Sequence, residues 1–239
     1  MMNRSDIKAF VLDLFFPNHC PLCGNVIKWD ITYCQKCFDN LPWTGEELCN
    51  GCGNTKIDCT CDTSDFVFVR AYAAVYYRDI GKSAVIFLKQ TKNMLFPRIA
   101  AEKIYEDIRN DSYPFEADLI VPIPMSKHKY NSRGYNQAAL IGQAISDLMD
   151  IPMREDVLKR HNSFIAQHKL SAKLRRKNAG IRYYHGNTDG IKDKNILLCD
   201  DVMTTGSTLN ECAKLLLSAG AASVAVAVAA TTIRENSIF

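Results

Sequence analysis

Apolar positions along the chain fall into two rhythms. Short runs dense in β-branched and aromatic residues alternate with longer segments whose apolar residues recur every three or four positions. Phe66 to Tyr77, rich in Phe, Val and Tyr, predicts one or two strands. Ile80 to Lys92 and Pro97 to Asn110 predict helices; in the second, Ile99, Ala100, Ile104 and Ile108 share a face, and Pro97 suits a first turn. Asp118 to Pro124 is a short apolar run bounded by prolines, as a buried strand would be. Asn136 to Met149 follows as a helix, with Leu140, Ala144, Ile145 and Leu148 inward. Ile196 to Cys199 predicts another buried strand. Thr208 to Ala219 predicts a helix burying Leu209, Cys212, Ala213, Leu216 and Leu217, stopped by Gly220, and Ser223 to Thr231 a final strand. Strands alternating with helices imply an α/β, Rossmann-like domain with a parallel sheet covered on both faces. Ligands of such sheets sit at the carboxyl ends of the strands.

Cysteine usage divides the chain. Of ten cysteines, eight lie between Cys20 and Cys61, so a boundary is expected near residue 62, with an N-terminal helix and cysteine module over 1–62 and the α/β domain over 63–239. Cys20/Cys23, Cys34/Cys37 and Cys49/Cys52 are Cys-x-x-Cys pairs, and Cys59/Cys61 is Cys-x-Cys. Two thiolates across a tight turn can face one ion, and a second pair completes a tetrahedron. Gly24 and Gly53 follow the second cysteine of a pair, where a knuckle needs tolerance of positive φ. Two structural zinc sites can be built in chain order. A cross-braced arrangement uses the same residues, but ten residues between Cys23 and Cys34 suit a short hairpin and favour the sequential one. Disulfides are the alternative; they need an oxidising compartment, and no export signal is visible. Trp29, Tyr33, Phe38 and Trp43 are expected to form the module's small apolar core, and His19 to stand beside the metal rather than on it.

With a net charge of +3, the totals do not by themselves mark a nucleic-acid binder. The longest apolar stretches, Ala9 to Phe16 and Val224 to Ala230, fall far short of the roughly 20 residues of a membrane span. A cytoplasmic location is the expectation.

The most informative segment is Ile196 to Leu209, ILLCDDVMTTGSTL. Thr205, Gly206, Ser207 and Thr208 lead into a helix, whose first N–H groups lack partners within it and can converge on a phosphate. Gly206 lets the chain turn closely around the anion; the hydroxyls of Thr204, Thr205, Ser207 and Thr208 add donors. Asp200 and Asp201 would repel a phosphate, but suit the neighbouring ribose hydroxyls or a magnesium ion. Phosphate at one end and diol at the other describe a ribose 5-phosphate. A capped helix after a solvated turn explains the Thr and Ser but not the paired acids.

This segment resembles the PRPP motif of type I phosphoribosyltransferases. RGYNQ, Arg133 to Gln137, follows the VPIP strand, and Arg160, Gln167, Leu170, Arg175 and Asn178 follow the spacing Q-x-x-L-x-x-x-x-R-x-x-N. Together with the cysteine pairs, these resemble the ComF (ComFC or GntX-like) family over nearly the whole chain; Ala179 and Tyr183 depart from its usual Val and Phe. The resemblance implies a type I phosphoribosyltransferase fold behind a double zinc ribbon. It implies a pyrophosphate loop from Met125 to Arg133 that includes Ser126, a 5-phosphate site at Thr204 to Thr208, diol contacts and chemistry at Asp200 and Asp201, and a mobile catalytic loop over His161 to Ala179. The expected ligand is PRPP with magnesium. From Lys159 to Arg182 the chain holds many cations and no acid, so this stretch is directed at an anion. Arg160, Lys173, Arg175 and Arg176 suit either a pyrophosphate leaving group or a nucleic-acid backbone. The family is associated with natural transformation, so single-stranded DNA and the DNA-uptake machinery are expected partners. The alternative is a salvage enzyme that transfers phosphoribose to an unknown acceptor.

Overall fold

A computed structural model describes residues 17–28, 30–45, 49, 66–161 and 182–232. The α/β core comprises β1 (Arg70–Tyr76), α2 (Asp79–Gln90), α3 (Leu95–Asn110), β2 (Leu119–Pro122), α4 (Lys127–Arg133), α5 (Gln137–Met149), β3 (Leu158–Arg160), β4 (Tyr183–His185), β5 (Asn195–Met203), α6 (Ser207–Ser218) and β6 (Ser223–Thr231); the short α1 (Gln35–Asp39) precedes it. Four strands form a wholly parallel sheet in the order β1-β6-β5-β2. β3 and β4 pair antiparallel as a separate hairpin.

The central strands read as nearly continuous apolar runs because both faces are covered. On β6, Val224, Val226 and Val228 point to one core; Ala225, Ala227 and Ala229 point to the other, which is shared with α2, α3 and α5. β5 alternates the same way, Ile196 and Leu198 against Leu197 and Cys199. The expected face of α3 is buried, and the helix starts at Leu95, so Pro97 falls in the first turn, where a missing N–H breaks no helical bond. α6 buries Leu209, Cys212, Ala213 and Leu216, while Leu217 is only partly covered. In α5, Ile141, Ala144 and Ile145 are buried but Leu148 is exposed, because it lies on the edge of the apolar stripe as the helix ends at Asp150.

Composition placed a boundary near residue 62, yet the cysteine module shares a core with the sheet. Cys20, Leu22, Cys37 and Leu41 are buried in one cluster with Tyr72, Val75, Val85 and Leu88. Residues 42–44 run antiparallel along β1: Tyr76 N–H donates to the Pro42 carbonyl (2.7 Å), Thr44 N–H donates to Ala74 (3.1 Å), and Trp43 is bridged to Val75. Tyr33, Phe38 and Trp43 do stack in sequence, with centroids 5.2 and 5.8 Å apart. They extend the main core rather than forming their own; Trp29 lies outside the described residues.

Candidate functional site

The first two cysteine pairs converge. The four Sγ atoms of Cys20, Cys23, Cys34 and Cys37 all lie within 4.8 Å of one another. A tetrahedral zinc with bonds of about 2.3 Å needs sulfurs about 3.8 Å apart, so the set fits. It is built by a knuckle: Gly24, at φ 76°, donates its N–H to the Cys20 carbonyl (2.7 Å), and Cys20 N–H donates to Asn25 (2.8 Å). Burial pushes the Cys34 thiol up to about 11 and Cys37 to about 12, reinforced by the neighbouring sulfurs. Burial also raises Cys20, but N–H donors, chiefly Cys34, outweigh it and leave that thiol lowered. Such a set ionises fully only around a cation, which makes this cluster a structural zinc centre. Sequential rather than cross-braced grouping holds for these four. His19 stays off the centre, its Nδ1 bonded to the Gly24 carbonyl (2.8 Å). No described cysteine forms a disulfide. Of the second set, Cys49 is buried, and Cys52, Cys59 and Cys61 lie outside the described residues.

The second site is a cleft at the carboxyl ends of β2 and β5, a cavity of roughly 240 Å³. β5 continues to Met203, past the end expected at Cys199, because Val202 and Met203 still pair with Ala230 and Thr231. The two acids therefore sit on a strand, not in a loop, and successive strand residues diverge. Asp201 turns toward the end of α2 and meets Lys89 Nζ at 3.1 Å. Asp200 accepts the Asp201 N–H (2.8 Å). Burial, then the Asp201 charge, hold the Asp200 carboxyl well above the usual carboxylate range, and Lys89 offsets this only in part. Both acids line the cavity.

The turn after β5 behaves as its residue types suggest. Gly206 takes φ 72° at the N-cap of α6 and offers no side chain to the first turn. Thr205 and Ser207 hydroxyls are 2.9 Å apart, and Thr204 is tied through its carbonyl to the Thr232 hydroxyl (3.3 Å). Of these loop residues Thr208 lines the cavity; Thr204, Thr205, Gly206 and Ser207 lie beyond its wall.

Met125 to Arg133, expected as a loop, is mostly the helix α4. Ser126 is its N-cap, accepting from Lys129 N–H (3.4 Å), and lies outside the cavity wall, whereas Met125, Lys129 and Arg133 line it. RGYNQ now resolves residue by residue. Gly134, at φ 76°, ends α4. Arg133 Nη1 donates to Gln137 Oε1 (3.0 Å), and the buried Tyr135 hydroxyl donates to the Leu88 carbonyl of α2 (2.8 Å). Asn136 caps α5 by accepting from Ala138 N–H (3.2 Å) while its amide donates to Ile123 (3.0 Å).

The β3–β4 hairpin forms the far wall. Arg160 lies 5.3 Å over the buried Tyr183 ring, whose hydroxyl burial pushes up to about 12 despite that cation. Glu211 accepts the N–H groups of Arg182 (2.9 Å) and Tyr183 (3.3 Å). His161 N–H donates to the Arg182 carbonyl (2.9 Å), so the chain leaves and re-enters at neighbouring points of the rim. Lys173, Arg175 and Arg176 fall between them, outside the described residues. Lys129, Arg133, Arg160 and Arg182 thus line one cavity together with Asp200 and Asp201. Sequence reasoning missed Lys89, and held Lys129, Gln137 and Arg182 only as members of a loop, a motif and a basic stretch. A lysine in a helix's last turn reads as an ordinary solvated charge, and only the fold brings it to Asp201.

Comparison with known proteins finds two matching domains. Residues 11–63 match the double zinc ribbon domain and residues 135–236 the phosphoribosyl transferase domain. DNA utilization protein YhgH of Escherichia coli is 34% identical over 208 residues, covering 87% of each chain. Competence protein F of Haemophilus influenzae is 29% identical over 211 residues, again 87% of each. Competence protein ComFC of Streptococcus pneumoniae is 27% identical over 225 residues, 86% of this chain and 96% of that one. The zinc knuckle, the parallel sheet and the acid-bearing strand end therefore belong together: this chain is a member of the ComF family, with a zinc ribbon on a phosphoribosyltransferase-type domain.

Proposed function

We propose that the chain binds PRPP with magnesium in the β2/β5 cleft and serves the handling of incoming single-stranded DNA in the cytoplasm. The observation that carries the ligand reading is the mixture of charge in one cleft. Two acids at the end of β5 and four cations line the same cavity, and the amino end of a helix follows that strand. In this reading the N–H groups at the start of α6 and the hydroxyls of Thr204, Thr205, Ser207 and Thr208 hold the 5-phosphate. Asp200 and Asp201 accept from the ribose hydroxyls, while Lys129, Arg133, Arg160 and Arg182 face the diphosphate. Magnesium, when bound with PRPP, supplies charge neutralisation between the diphosphate and the acids. The DNA role follows from the names of the relatives, a competence protein and a DNA utilization protein among them, and from the acid-free basic stretch over Lys159 to Arg182.

Titration calorimetry with PRPP and magnesium tests the ligand. Wild type is expected to bind, and Asp200→Asn with Asp201→Asn to lose binding; no heat from wild type refutes the reading.

The cation-rich wall favours a second reading, phosphoribosyl transfer. The bond from C1 to the diphosphate oxygen breaks with its electron pair on the departing diphosphate. The acceptor's lone pair then bonds to C1 and its proton is lost, with the four cations stabilising the leaving charge. Diphosphate release across a panel of bases and amines separates transfer from binding alone.

A further inference from the structure

Three consecutive residues at the end of α2 each touch a different part of the molecule. Phe87 faces the zinc knuckle: a Cβ added at Gly24 would sit 3.3 Å from Phe87 Cδ2, so the knuckle backbone lies directly on the ring. Leu88 is buried in the core that also holds Cys20, Leu22 and Cys37, and its carbonyl accepts the Tyr135 hydroxyl (2.8 Å). Lys89 reaches Asp201 at 3.1 Å, with both side chains largely shielded, at 30% and 20% exposure.

The last carbonyls of a helix have no partner within it and fix the end only where something else takes them. Here Phe87 C=O accepts both the N–H (3.0 Å) and the hydroxyl (3.3 Å) of Thr91, and Leu88 C=O takes Tyr135. That turn is therefore pinned by its backbone and on three sides by its side chains. An unpinned lysine has four rotatable bonds and would sample many positions; one held at its root delivers its charge to one place.

We propose that Lys89 is a positioning residue for Asp201, and that the Phe87–Lys89 turn carries the state of the zinc knuckle to the ligand cleft. The inference rests on the PRPP reading above and adds a direction to it. Among the described residues no ribbon side chain lines the cleft, yet an ordered knuckle holds Phe87, Phe87 holds the turn, and the turn holds Lys89 against the acid. Binding free energies are reciprocal: if an ordered knuckle tightens PRPP by some factor, bound PRPP must tighten zinc by the same factor. Replacing a residue with only a local structural role would leave that shared factor unchanged.

The experiment measures two affinities on the full chain: PRPP with magnesium by calorimetry, and zinc by competition with a chromophoric chelator, with and without saturating PRPP. In wild type PRPP is expected to tighten the zinc held by Cys20, Cys23, Cys34 and Cys37 by about 5-fold or more. Lys89→Met is expected to weaken PRPP about 10-fold and bring the zinc factor near one, leaving zinc affinity without PRPP unchanged; Lys89→Arg restores most of both. Phe87→Leu, which alters neither thiols nor acids, is expected to lose the zinc factor. Because these variants meet the same PRPP concentration, chelation of zinc by PRPP itself cancels between them. If wild type binds PRPP with no effect on zinc, or Lys89→Met binds PRPP as wild type does, the inference is overturned while the PRPP reading stands. If wild type binds no PRPP, both fall.

Discussion

The zinc knuckle and the ligand cleft both gather groups that repel one another once ionised, and they resolve the conflict differently. At the knuckle four thiols converge on one point, and the packing around them depends on the result: Cys20, Leu22 and Cys37 lie in the main core. In the cleft the acids are shared out. Asp201 has Lys89, and Asp200, half-buried, is left with a raised carboxyl pKa. The first arrangement needs its ion in order to be built at all. The second is built beforehand and holds its unfavourable charge until a ligand arrives.

This contrast can be broken at its strongest point by removing the metal. Cys37→Ala, or extraction by a strong chelator, is expected to cost most of the folding stability, since structural zinc contributes on the order of 10 kcal/mol in small ribbons. A fall of many degrees in Tm, with loss of zinc, is the readout; an unchanged Tm would mean the knuckle is ornamental.

Next in size is the cost stored at Asp200. Its folded pKa is raised, so above the unfolded value of about 3.9 the unfolded chain has released a proton that the folded chain still holds. Stability is therefore full below that pH and declines as pH rises through the folded pKa. Asp200→Asn removes this decline. The ligand-free variant is expected to melt above wild type at pH 8, the gap shrinking toward pH 4, while its PRPP affinity falls at least 10-fold. A gap that is constant with pH would show that the carboxyl titrates normally.

A smaller effect is expected at Tyr135→Phe, which leaves the Leu88 carbonyl buried without its donor. The loss is about 1 kcal/mol, visible as a shift of the denaturant midpoint at constant slope. Smallest on stability is Arg175→Ala with Arg176→Ala. Thermal melting should not move, but the slope of single-strand DNA affinity against salt should fall by one to two. An unchanged slope would remove this stretch from the DNA contact.

How much of this was legible in the residues follows from what each signal encodes. β5, β6 and the inward faces of α3 and α6 carry strong periodicity, because both sides of each strand and one side of each helix are buried. The strand-to-helix turn within DDVMTTGST was also readable, since Gly206 with positive φ marks the start of the helix. α4 was not: KHKYNSR has no apolar stripe, none of its residues is buried, and what orders it is the Ser126 cap and Gly134. The β3–β4 pairing was invisible because its strands are separated in sequence by His161 to Arg182. The boundary near residue 62 was an inference from cysteine density. Density reports where metal ligands lie, not which apolar residues share a core.

The pairing of residues 42–44 with β1 has a consequence for how the chain behaves as a molecule among copies of itself. Pro42 and Thr44 occupy hydrogen-bonding groups of Ala74 and Tyr76 that would otherwise face outward from the margin of an apolar sheet. At the opposite margin, Pro152 and Arg154 engage Ile120 in the same manner. A phosphoribosyltransferase-type domain cut free at residue 63 would present seven residues, RAYAAVY, as an open template for another strand. The ribbon is thus a guard against fibrous self-association, and losing it would expose the sheet before it exposed the cleft.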